Sequence, residues 1–138
     1  MVVVEGTLNQ NGYVNLMSKY LVPYLMEVNE KCPGVIFQDD NAPCHAAGYP
    51  TWWLQTHSIE HLPWPAQSPD LNPIEHLWDH LDRQIRKRNP LPTSSAAMAA
   101  ALQEEWGRIP LSVVRELITS MPRRVAAVIE AKGWHTKY

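Results

Sequence analysis

Apolar residues follow two different spacings along the first half of the chain, and these spacings predict an alternation of strands and helices. Three short segments bounded by polar or turn-forming residues are predicted strands: residues 2–4, which are β-branched, residues 35–37, which form a short apolar run typical of a buried strand, and residues 59–62. Between these segments, apolar residues recur at helical spacing over residues 13–28 and again over residues 46–54. Pro23 lies inside the first helical stretch, so we expect it to kink that helix or to begin a second one.

The second half of the chain predicts helices only. The best-defined one has Asn72 as its N-cap and Pro73 at its first position, carries apolar residues along one face, and ends at Asn89-Pro90. Three further helices are expected over residues 96–106, 112–119 and 122–132, the last of them closed by Gly133. Strands interleaved with helices, followed by a helical end, predict an α/β fold.

Composition narrows the class of protein. A chain of 138 residues with 45% hydrophobic and 19% charged residues is typical of one globular domain. The net charge of −2 provides no overall positive field, so any contact with DNA would come from a local patch. No run is long enough to predict a membrane span or a signal peptide, and the two cysteines form no C-x-x-C pair. We therefore expect a soluble intracellular domain.

Two carboxylates are the candidate catalytic groups, and both are also predicted to be metal ligands. Asp40 follows the predicted strand at residues 35–37, Glu75 lies in the first turn of the helix capped by Asn72, and 34 residues separate them. Cleavage of a phosphodiester is served by two hard divalent cations about 3.5–4 Å apart, held by carboxylates from separate elements. Asp39 competes with Asp40, but alternation along a strand would point only one of them at such a site. Oxygen ligands favour Mg²⁺ or Mn²⁺ over zinc.

Each of these residues also has an ordinary structural interpretation. Glu75 stands three residues after Asn72 and fits a capping box, while Asp40 followed by Asn41 fits a turn held by side-chain hydrogen bonds. His76 and His80 have the spacing of a zinc pair, but no third ligand follows at a recognisable interval. His45 and Asn41 are expected to lie close to the acids without binding the metal themselves.

Four basic residues crowd the end of the same helix: Arg83, Arg86, Lys87 and Arg88. They complement the negative end of the helix dipole, and they would equally serve as a phosphate-contacting patch for nucleic acid. The sequence alone leaves both interpretations open. Arg123, Arg124, Lys132 and Lys137 form a weaker second cluster.

The phrases Q-D-D-N-A-P-C-H at residues 38–45 and L-P-W-P-A-Q-S-P-D-L-N-P-I-E-H-L-W at residues 62–78 resemble Tc1/mariner transposases of the Tc1-like branch. The segments at residues 5–10, 121–125 and 135–138 extend the resemblance over nearly the whole chain. It implies a ribonuclease H-like domain whose three acids bind two Mg²⁺ (or Mn²⁺) ions, with Asp40 as the second acid and Glu75 as the third. It also implies transposon-end and target DNA as partners, a homodimer, a nuclear location and no membrane association.

The chain departs from the family pattern at several points. Asp39 and Trp134 stand where the family usually has other residues, and the family's first acid and its helix-turn-helix modules have no match here. We therefore expect residues 1–138 to form one truncated domain with about three strands. Such a chain would be descended from an enzyme of DNA cleavage and strand transfer, but it would be inactive alone. The alternatives are a domesticated remnant that binds nucleic acid or protein without catalysis, and a non-functional fossil.

Overall fold

The computed structural model describes the whole chain, residues 1–138. The chain divides into two compact units. Val4–Gln67 form the N-terminal unit, and Ser68–Tyr138 form the C-terminal unit together with Met1–Val3. The expected single domain spanning residues 1–138 stays a prediction.

The predicted α/β class is wrong for this chain. The structure is 59% helical and contains no strand. Of the three predicted strands, residues 2–4 form none, and Val2, Val3 and Val4 each leave more than two fifths of their surface exposed. The other two meet at a single parallel bridge between Phe37 and His61.

This bridge shows why the strands do not form. The Phe37 amide donates to the Glu60 carbonyl at 2.9 Å, and the Leu62 amide donates to the Phe37 carbonyl at 2.8 Å. Runs of three or four residues become stable strands only when hydrogen bonds to further neighbours extend the ladder. The ladder here stops after one bridge. The prediction that the segment at residues 35–37 is buried is also wrong in most positions: Phe37 and Ile59 pack against a hydrophobic core, whereas Ile36 and Leu62 are exposed.

The N-terminal unit contains three α-helices: α1 (Gln10–Leu16), α2 (Val22–Lys31) and α3 (Gly48–Thr56). Asn9 caps α1 by accepting a hydrogen bond from the Gly12 amide at 3.0 Å. Helices α1 and α3 pack together, and the core of this unit consists of their buried residues and of Met17, which directly follows α1: Val14, Met17, Trp53 and Leu54. Phe37 and Ile59, from the two bridged segments, pack against the same core.

Pro23 has the effect that the sequence predicted. Residues Met17–Leu21 form one turn of π-helix, and α2 begins directly after it with Pro23 at its second residue. Proline has no amide proton and its ring clashes with the carbonyl of the preceding turn, so the α-helical hydrogen-bond pattern cannot continue through it. The wider π turn absorbs this disruption while the chain stays helical.

The C-terminal unit contains a 3₁₀ turn (Pro69–Leu71) and three helices: α4 (Pro73–Arg86), α5 (Ser95–Arg108) and α6 (Leu111–Glu130). Helix α4 contacts both α5 and α6. Its buried residues Leu81 and Ile85 and the buried Ala101 of α5 are the apolar interior of this unit. None of the helices is long and apolar enough to cross a bilayer.

The predicted break between two C-terminal helices is wrong. Pro122 lies inside one continuous helix, α6, rather than at the start of a second helix. The missing amide costs one backbone hydrogen bond, which burial of one side of the helix can offset. Ser120 and Arg124, on either side of Pro122, are both buried on that side.

Candidate functional site

Asp40 presents an exposed carboxylate held in a defined orientation. Its side chain is 53% exposed, and its Oδ1 accepts the Ala42 amide at 3.0 Å. The same oxygen lies 2.6 Å from Nδ1 of His45. Burial by itself would raise the pKa of Asp40, but the hydrogen bonds from Ala42 and His45 outweigh it and the pKa is lowered. The carboxylate therefore stays charged, and its bonds to other residues occupy Oδ1 rather than Oδ2.

Asp39 has a different set of partners. Its side chain is only 11% exposed, with Oδ2 accepting the Tyr13 hydroxyl at 2.5 Å and Oδ1 lying 2.8 Å from Nε2 of His61. Burial, followed by the hydrogen bond to Asp39, raises the pKa of Tyr13 far above its usual value. Both oxygens of Asp39 are thus bonded within the unit, whereas Asp40 faces solvent.

Tyr13 connects these two carboxylates. Its ring stacks on the ring of His45 at 4.0 Å between centroids, while its hydroxyl bonds Asp39. Helix α1 therefore supports the residue that orients Asp40. A contact between positions 13 and 45 could not be derived from local sequence patterns, and no signal in the sequence indicated Tyr13.

Asn41 and His45, the two residues predicted to lie near the acids, both make specific contacts. His45 bonds Asp40, and it is 20% exposed. The amide nitrogen of Asn41 donates to the Trp64 carbonyl at 2.7 Å, so the turn at residues 38–45 is tied to the loop that follows His61. Cys44, in the same turn, is a free thiol, as is Cys32.

Glu75 lies in the first turn of α4, exposed to solvent. Asn72 caps the helix by accepting the Ile74 amide at 3.3 Å, as predicted. The second half of a capping box does not form, because the Asn72 amide donates to the Pro69 carbonyl at 3.1 Å instead of to Glu75. The Glu75 carboxylate therefore takes no part in capping the helix.

The structure places the two candidate acids in different units, Asp40 in Val4–Gln67 and Glu75 in Ser68–Tyr138. Neither unit contains a group of three or more His, Cys, Asp and Glu side chains arranged to hold a metal ion. Each acid is available as an exposed oxygen ligand. Their role as a shared pair stays a prediction.

The basic residues at the end of α4 differ in what they contact. Arg83 pairs with Asp79 at 2.8 Å and Arg86 with Asp82 at 2.6 Å, one turn earlier on the helix, and both arginines remain well exposed. Lys87 is exposed as well. Arg88 is only 25% exposed and bonds Glu104 and Glu105 of α5. Arg88 therefore connects the end of α4 to α5, whereas Arg83, Arg86 and Lys87 face solvent.

His76, one of the two histidines considered for zinc, has a different contact. Its Nε2 accepts a hydrogen bond from the buried Arg124 at 2.8 Å. Burial and then the charge of Arg124 lower the pKa of His76, which favours the neutral ring that can accept this bond. Arg124 belongs to the second cluster of basic residues in the sequence, yet it is 2% exposed. The signal that could have found it was its position on the same helical side as Ser120 and Ala127.

A family model described as "DDE superfamily endonuclease" matches residues 1–97. The chain is 39% identical over 136 residues to the transposable element Tc1 transposase of Caenorhabditis elegans, covering 98% of this chain and 48% of that protein. It is 44% identical over 135 residues to the Tcb2 transposase of Caenorhabditis briggsae, covering 98% and 48%. The chain spans about half the length of the curated relatives it matches.

The structure is also similar to a solved one, titled "Structure of Mos1 transposase catalytic domain and Raltegravir with Mg". The TM-score is 0.81 at 25% sequence identity, covering 96% of this chain and 67% of that chain. The fold, the matched phrases and the relatives agree on one class, that of transposases with a DDE catalytic domain. The chain belongs to the DDE endonuclease superfamily, and the curated relatives to which it is similar are transposases of transposable elements.

Proposed function

We propose that this chain supplies two of the metal-binding acids of a transposase that cuts DNA at transposon ends and joins it to a target. Asp40 and Glu75 are those acids. The observation that carries the proposal is the state of Asp40: a charged, half-exposed carboxylate with a lowered pKa, oriented by His45, inside the phrase that matches the family.

The donor chemistry of both residues fits Mg²⁺ or Mn²⁺. Asp40 and Glu75 offer exposed carboxylate oxygens, the ligands that hard divalent cations prefer, and neither is neutralised by an arginine or lysine. A bound divalent ion would supply activation of the attacking oxygen and stabilisation of the leaving one. The protein's own part is to hold the carboxylates ionised and oriented: His45 and the Ala42 amide do so for Asp40. The cap at Asn72 fixes the start of the helix that carries Glu75.

DNA is the proposed partner, in the nucleus, as the family resemblance implies. Arg83, Arg86 and Lys87 are the exposed cations that support this assignment, because surface ion pairs such as those of Arg83 and Arg86 are weak and can yield to phosphate. The homodimer implied by the resemblance stays a prediction.

Binding of Mn²⁺ to the 138-residue polypeptide tests the metal assignment directly. We expect Mn²⁺ to broaden the NMR signals of residues 38–45 and 73–77, weakly because two carboxylates provide few ligands. Asp40→Asn should remove the first effect and Glu75→Gln the second. The same polypeptide should not nick supercoiled plasmid in Mg²⁺ or Mn²⁺, since the resemblance implies three acids and only two are present.

Glu116, an exposed acid on α6, provides the matched control, and Glu116→Gln should leave the broadening unchanged. Metal-dependent nicking that disappears in Glu75→Gln would overturn the expectation of inactivity while supporting the metal site. Broadening at other acids, with none near Asp40 or Glu75, would refute the proposed ligands.

Weak, sequence-independent DNA binding is expected from the three exposed cations of α4. Contacts of this kind give a log–log salt slope of roughly −0.9 per phosphate, so a slope of about −3 and an affinity of about 10⁻⁴–10⁻⁶ M are expected. Replacing Arg83, Arg86 and Lys87 with Ala should flatten the slope by about one unit per cation, for every DNA sequence alike. Titration at several salt concentrations measures this.

Arg88→Met is the matched comparison for that experiment. Because Arg88 bonds Glu104 and Glu105, its loss should lower the melting temperature while changing the salt slope little. A marked preference for one DNA sequence, or a slope that the triple substitution leaves intact, would show that DNA is bound elsewhere.

A further inference from the structure

Arg124 of α6 is a buried cation with no carboxylate partner. It is 2% exposed, and its hydrogen-bonding partners are all neutral: the Ser120 hydroxyl at 2.7 Å, the Asp70 carbonyl at 2.8 Å and His76 Nε2 at 2.8 Å. The ring of Tyr138 lies 5.0 Å from its guanidinium carbon. Burying a charge without a counter-ion is costly, and an apolar residue is often tolerated better at such a position.

The location of this charge does not help α4 electrostatically either. Nη1 of Arg124 bonds the fourth residue of α4, His76, in the first turn, where the helix dipole is positive. A cation there opposes the dipole instead of complementing it. A favourable interaction with the helix dipole therefore does not explain why an arginine occupies this position. We look for the explanation in the groups that accept hydrogen bonds from its guanidinium.

Those donors hold the chain on both sides of the start of α4. Through Nη1, Arg124 bonds Asp70 in the 3₁₀ turn before the helix and His76 within its first turn. The cap residue Asn72 and the proposed metal ligand Glu75 lie between these two anchor points. The Thr136 hydroxyl adds a third bond to the same segment, donating to Asp70 Oδ2 at 3.0 Å. The planar guanidinium bonds Ser120 through Nε and Asp70 and His76 through Nη1 in one fixed geometry, which the flexible ammonium group of a lysine does not reproduce.

We propose that Arg124 is a positioning residue for Glu75: it fixes residues 70–76 against α6, with Thr136 and Tyr138 completing the contact. The part that concerns Glu75 rests on the proposed function, whereas the fixing of residues 70–76 does not. Arg123, its neighbour in the sequence, is exposed and serves as the matched control.

The test combines amide hydrogen exchange with ¹⁵N NMR of the His76 ring in the full chain. Arg124→Met and Arg124→Lys should speed exchange of the amides of residues 74–80 roughly tenfold, because local opening no longer has to break the Arg124 bonds. Exchange in α5 should change little, and Arg123→Met should change neither. In the unsubstituted chain the His76 proton should reside on Nδ1, and Arg124→Met should move it to Nε2.

Thr136→Val provides a milder variant in case the Arg124 variants fail to fold, and it should speed exchange at residues 70–76 by a smaller factor. Exchange that rises equally throughout α5 and α6, or a His76 proton that stays on Nδ1 in Arg124→Met, would overturn the positioning role. Addition of Mn²⁺ separates this idea from the proposed function. If the unsubstituted chain shows no broadening near Glu75, the metal assignment fails, while the exchange and tautomer results still decide whether Arg124 fixes residues 70–76.

Discussion

Asp40→Asn and Glu75→Gln, each introduced into a complete transposase that contains this region, are expected to abolish strand cleavage while leaving binding to transposon ends intact. Each change keeps the shape of the side chain and removes the negative charge that a divalent ion requires. An ion that contributes several kcal/mol to the transition state corresponds to a loss of at least about a thousandfold when it is displaced. Single-turnover cleavage of a labelled transposon end, alongside a gel-shift assay for binding, measures the two effects separately.

Asp39→Asn is the control for this pair. Asp39 accepts bonds from Tyr13 and His61 within the N-terminal unit, and an amide can retain the Tyr13 bond. We therefore expect cleavage to persist, with some loss of stability. If Asp39→Asn abolished cleavage and Asp40→Asn were tolerated, the assignment of the metal ligand to Asp40 would be wrong by one residue.

Some of the fold could be predicted from short stretches of sequence. The start of α4 was predicted correctly because Asn72 and Pro73 act locally: a side-chain cap and a residue without an amide proton are sufficient to define a helix start. The disruption before α2 was predicted for the same kind of reason, since Pro23 alone accounts for it. The phrases that carry Asp40 and Glu75 identified the family for a different reason, because a specific string of residues matches known transposases.

Other parts depend on contacts that no local pattern contains. A strand forms only if a partner strand pairs with it, so the predicted strands around Phe37 and His61 form one bridge and no sheet. Arg123 and Arg124 look alike in the sequence, yet one is exposed and the other is buried against Asp70 and His76. Only the packing of α6 distinguishes them. The same packing keeps α6 continuous through Pro122, which the sequence alone indicated as a helix start.

The second large effect is expected for Leu81→Ala. Leu81 is 1% exposed, on the side of α4 that packs against its neighbouring helices, close to Ile85 on the same helix. Truncating a buried leucine typically costs about 2–5 kcal/mol, because its burial is lost and a cavity remains. A typical domain has roughly 5–15 kcal/mol of stability in total, so a large part of the free energy of unfolding should disappear. Urea unfolding followed by far-ultraviolet circular dichroism measures the change.

Asp82→Ala is the matched control, because Asp82 follows Leu81 directly but is exposed and pairs only with Arg86 on the surface. Surface pairs of this kind contribute little, so the unfolding midpoint should remain nearly unchanged. The comparison also bears on function, since Glu75 is carried by the same helix. In a complete transposase, Leu81→Ala should reduce cleavage most at elevated temperature, where the weakened helix opens more often, and cooling should restore much of the activity. A midpoint unaffected by Leu81→Ala would mean that α4 is held in place by its ends, through Arg124 and Arg88, rather than by its apolar side.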